Sequence, residues 1–88
     1  MNQRTAKRLL DAAAAATNIA LFCEGKTFDD YRSDPYFRSA VERPFEILAE
    51  ALNVAAREEA EVVEWFPEIP EIVGLRNQIA HAYSRIDD

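Results

Sequence analysis

The sequence predicts an all-α domain, and three observations carry that prediction. Its 88 residues include only two glycines and four prolines, and β-branched residues rarely cluster, so the raw material for hairpin turns is missing. Apolar residues recur at spacings of three and four rather than two along most of the chain. The run of five alanines over residues 12–16 is the best helix-forming composition available. A chain of this length supports one core, so residues 1–88 read as a single domain.

Taken in order, a first helix is expected from about residue 5 to residue 24. Leu9, Ala13, Ala16, Ala20 and Cys23 set out its apolar face, Phe22 extends it, and Gly25 stops it. Thr27, three residues before Asp30, marks a capped turn of helix over residues 28–32. Asp34-Pro35 repeats the start signal more strongly, with a carboxylate for the free backbone amides and a proline at the first helical position. The long helix that follows has Phe37, Val41, Phe45, Leu48, Leu52 and Ala55 as its stripe, continuing toward Val62 or Val63, with a bend at Pro44. Trp65-Phe66-Pro67 closes it, and Pro67 and Pro70 form a stiff corner. A last helix begins near Pro70, with Ile72, Leu75, Ile79, Tyr83 and Ile86 within about 80° of one another as the buried stripe.

Ten basic residues against sixteen acidic ones give a formal charge of −6. That excludes a surface that tracks nucleic acid by bulk electrostatics, so any RNA contact must be local. One cysteine and one histidine furnish neither an internal disulfide nor the usual zinc set, and no cofactor or metal is called for. No run approaches the roughly 18 apolar residues of a membrane span. The stretch after Arg4, Lys7 and Arg8 is too weakly apolar for an export signal. A cytoplasmic protein without a membrane partner is expected. So small a core is marginal alone, which points to a homodimer or a higher assembly of dimers. The acidic run Glu58, Glu59, Glu61 and Glu64 reads as a solvated face or as a dock for a basic partner.

The chemistry gathers off the stripe of the last helix. With Ile72 placed at zero on a helical wheel, Arg76 lies near 40°, Asn77 near 140° and His81 near 180°, so His81 is not a core histidine of this helix. The segment Gly74-Leu75-Arg76-Asn77-Gln78-Ile79-Ala80-His81-Ala82-Tyr83 resembles the R-N-x-x-x-H-x-Y motif of the HepT-like toxins of the HEPN superfamily. Upstream, Asp34-Pro35, Ala40-Val41-Glu42-Arg43 and residues 45–52 look like that family's A-V-E-R-x-F-E-I-I-G-E-A-L block. Ala49 and Ala82 stand where the family usually has glycine. The likeness spans roughly residues 9–88.

The resemblance implies an antiparallel HEPN-like helical bundle that dimerises through its motif helices. A helix that the family usually carries beyond the motif is missing from a chain that stops five residues after Tyr83. It further implies a metal-independent endoribonuclease with a composite site at the dimer interface, the toxin of a type VII-like pair whose antitoxin is an MNT-type nucleotidyltransferase. Arg76, Asn77 and His81 then fall in catalytic positions, with His81 as acid and base and Arg76 stabilising the phosphorane. Asn77 either orients the imidazole or donates to a phosphate, or is a plain surface amide. Tyr83 matches the tyrosine that the partner modifies with AMP, and its place in the apolar stripe equally suits core packing. Glu50 matches the acid of the upstream block and supports either the fold or the site. The alternative is a non-catalytic HEPN-type binding subunit of a nucleotidyltransferase.

Overall fold

The computed structural model describes residues 1–87, and side chains through Ile79. Five helices follow one another: α1 (Gln3–Phe22), α2 (Phe28–Ser33), α3 (Pro35–Glu58), α4 (Glu61–Trp65) and α5 (Ile69–Asp87). No strand occurs among the described residues, as the composition leads one to expect.

Local chemistry sets most of the boundaries. The Asn2 side chain caps α1 by accepting from the Thr5 amide at 2.8 Å. Beyond α1, Gly25 takes φ +71°, a conformation that costs glycine nothing and lets the chain turn back. Thr27 and Asp30 form a full capping box on α2, the hydroxyl accepting from Asp30 N–H while the Asp30 carboxylate accepts from Thr27 N–H. Asp34 ends α2 and begins α3, its Oδ1 accepting from the amides of Tyr36 and Phe37. The helix runs on through buried Pro44. Proline has no N–H for the carbonyl four residues back, that of Ala40. Ala40 is exposed, so water can take that place.

α1 and α3 form the main antiparallel pair. Asn2 and Thr5, at the start of α1, hydrogen-bond Glu59 and Glu58, at the end of α3. α5 lays its first turns on α3, where Ile69, Ile72 and Val73 join the cluster of Ala12, Ala51, Leu52, Ala55 and Val62. The molecule is only 18 Å deep, two helix diameters at most. Of the eight buried hydrophobic residues described, five are alanine.

Three sequence expectations need correction. The buried face of α1 is Thr5, Ala12 and Ala15 with Leu9 and Ile19 half-buried, whereas Ala13, Ala16, Ala20 and Cys23 are exposed. The face is rotated by about one residue, because five successive alanines offer no contrast from which to read a phase. α3 does not continue to Val62: it ends at Glu58, and Glu59, in an extended conformation, separates it from α4. Leu75 is 47 % exposed, and Arg76 is the less exposed neighbour. The packed face of α5 is therefore turned from Leu75 toward Val73 and Arg76.

Candidate functional site

α5 carries the polar motif, and its start is well suited to that task. Pro70 sits in the first turn, where the missing N–H has no intrahelical partner to lose. Buried Ile69 then pins the helix to the core. About two turns on, the helix presents Arg76 and Asn77 at the edge of its contact with α3.

There Arg76 meets two acceptors from different places. Its Nε donates to Oδ1 of Asn77 at 3.0 Å, and its Nη1 donates to Oε2 of Glu50, on α3, at 3.4 Å. The Arg76 side chain is 26 % exposed and that of Glu50 55 %, so the pair sits at the rim, with its charges open to solvent. An ion pair so exposed adds little stability, but it limits the rotamers of a side chain that is otherwise free to swing.

Of the sequence-predicted site residues, Arg76, Asn77 and Glu50 are thus brought together. His81 and Tyr83 belong to α5, but their side chains lie outside the described residues. Asn77 takes a role that spacing did not suggest, since its carbonyl oxygen accepts from Arg76. The link between Glu50 and Arg76 bridges two helices, and a single sequence holds no signal for such a contact beyond the presence of the acid.

Glu50 also lines a groove of about 600 Å³ between α1 and α3, together with Ala14, Ala15, Pro44 and Ala51. Arg8 and Asp11 of α1 and Arg43 and Glu46 of α3 line it as well, and Arg43 pairs with Glu46 on its own helix at 3.4 Å. The groove is therefore of mixed charge, with no basic track for a nucleic acid backbone. Among the described residues no group of three or more His, Cys, Asp or Glu side chains is placed to hold a metal ion, and no helix is long and apolar enough to cross a membrane.

A family model described as "Ribonuclease HepT-like" matches residues 12–88. A protein of Methanocaldococcus jannaschii named "Putative RNase MJ1380" is 33% identical over 93 residues, an alignment that covers 99% of this chain and 80% of that protein. No solved structure matches the chain at a comparable level.

Proposed function

Because the chain belongs to the HepT-like ribonuclease family, we propose that it is the RNA-cleaving toxin of a HEPN/MNT pair, working without a metal at a site that a second copy completes. The observation that carries this reading is Arg76, held at the rim of α5 between Glu50 and Asn77 and about 1.4 helical turns ahead of His81. Five residues leave the two side chains about 140° apart on one helix. A two-fold axis between motif helices brings the Arg76 of one copy toward the His81 of the other. The thin core supports such pairing, as does the exposed Leu75 beside Arg76 on the motif helix.

In the proposed reaction the substrate supplies its own nucleophile. The His81 imidazole accepts the proton of a ribose 2′-OH, the O2′ attacks phosphorus, and the bond from phosphorus to O5′ breaks. The leaving oxygen takes a proton from an imidazolium, so the products are a 2′,3′-cyclic phosphate and a 5′-hydroxyl. Arg76 stabilises the charge gathered on the phosphorane oxygens, for which a planar fork of donors is suited. An MNT-type nucleotidyltransferase silences the toxin when the Tyr83 hydroxyl attacks the α-phosphorus of ATP, loses its proton and takes AMP as pyrophosphate leaves, adding a phosphate charge that repels RNA.

The test is cleavage of a short oligoribonucleotide in excess EDTA. Cyclic phosphate ends are expected, and activity lost on chelation but restored by magnesium rejects the mechanism. His81→Ala should abolish cleavage. Tyr83→Phe should retain it while gaining no AMP-sized mass with an active nucleotidyltransferase and ATP. The rival, a non-catalytic binding subunit, draws support from the charge of −6 and from an Arg76 that already shares its charge with Glu50. Association with the nucleotidyltransferase in the absence of any cleavage selects it.

A further inference from the structure

We infer that Glu50 and Asn77 are positioning residues for Arg76, which together fix its guanidinium so that one set of donors stays open to a single phosphodiester. The inference rests on the ribonuclease reading and adds to it the reason why a flexible arginine is ready for the transition state.

An arginine carries five N–H donors and no acceptor. In this site the Nε–H is taken by Asn77 and one Nη1–H by Glu50. Three N–H groups remain, both of those on Nη2 among them. Two neighbouring donors in one plane match two oxygens of a phosphate. The acceptors approach from different carriers, Asn77 from the same helix and Glu50 from α3. Rotation about the long side chain is therefore restricted from two directions. A donor held in place before the substrate arrives needs no reorganisation as charge develops, and this is where electrostatic catalysis gains most.

Glu50 serves this purpose by geometry more than by charge. At 3.4 Å and 55 % exposed, its carboxylate is screened by water and neutralises Arg76 only in part. A neutral side chain of the same shape, which still offers an acceptor oxygen, should hold the guanidinium nearly as well. Asn77 is already such a neutral acceptor, which shows that a formal charge is not needed to orient the group. The same reasoning separates these two residues from Arg76: they touch the cation, and only the cation touches the phosphate.

The experiment is steady-state cleavage of a fluorogenic oligoribonucleotide by the full-length protein, with melting curves for every variant. Glu50→Ala should lower kcat by roughly 10- to 100-fold, the range for displacing a catalytic group by about an ångström, with KM changed much less. Glu50→Gln should stay within about threefold of wild type, by the acceptor argument above. In an Arg76→Ala background, adding Glu50→Ala or Asn77→Ala should change the residual rate less than about twofold, because nothing is left to position. Should Glu50→Ala fail to fold, the Glu50→Gln and Asn77→Ala arms carry the decision. Additive losses on top of Arg76→Ala, a folded Glu50→Ala as active as wild type, or a Gln variant as poor as the Ala variant each overturn the inference while leaving ribonuclease activity intact. A wild type that does not cleave removes both.

Discussion

At the scale of single residues, the contact with the clearest dependence on solution conditions is Glu59, which accepts the Asn2 backbone N–H at 2.7 Å. That hydrogen bond is the main reason its carboxyl titrates below the ordinary 4.5. A carboxyl that is easier to ionise when folded stabilises the fold fully above its unfolded value and loses that contribution as pH falls below 4.5 toward the lower folded value. The urea midpoint of wild type should therefore exceed that of Glu59→Gln at pH 6, and the gap should narrow as the pH falls below 4.5. A gap that stays constant across the range would show that the amide bond does not favour the ionised form. The same scale decides how much of the site could be read beforehand. Arg76 and Asn77 are neighbours in one helix, so the motif alone placed them. Glu50 is 26 positions away, and its meeting with Arg76 depends on how α5 lies on α3, which spacing within either helix does not encode.

At the scale of elements, the boundaries that were legible are those made by local chemistry. Thr27 and Asp34 cap helices with their own side chains, so the residues and the boundary stand together in the sequence. The break between α3 and α4 has no proline or glycine to mark it. It forms where Glu59 reaches the start of α1, a tertiary contact that overrides helix propensity. Two substitutions test this account. Asp34→Ala removes the acceptor for two amides at the start of α3 and should cost about 1 kcal/mol, lowering Tm by roughly 4 to 8 °C in a domain of this size. Gly74→Ala should act in the opposite direction. A Cβ there meets nothing within 4 Å, so the gain of helix propensity, about 0.5 to 1 kcal/mol, should raise Tm by a few degrees. A lower Tm for Gly74→Ala in calorimetry would mean that another surface approaches the α5 backbone at this point.

At the scale of the whole molecule, the described chain buries few large side chains and leaves eleven exposed, among them Phe28 at 71 %, Tyr36 at 87 % and Leu10 at 71 %. A single copy therefore has little from which to draw stability. If copies associate, Tm should rise with protein concentration, since binding of the folded form shifts unfolding by mass action. Over a hundredfold dilution a dimer should melt measurably lower, with light scattering reporting the change in mass. A Tm independent of concentration, together with a monomer's mass at micromolar levels, would remove the composite site. The paired helices α1 and α3 hold a different consequence. Their buried positions are largely alanine, Ala12, Ala15, Ala49, Ala51 and Ala55, including Ala49 with no exposed surface at all. At Ala12, Ala49 and Ala55, which do not line the groove, a saturation screen should therefore give the inverse of an ordinary core profile: truncation has almost nothing to remove, while an added methylene forces two backbones apart. The spacing of this helix pair is therefore set by the smallest side chains in the molecule, and a screen of the seam should accept glycine or serine more readily than valine or leucine.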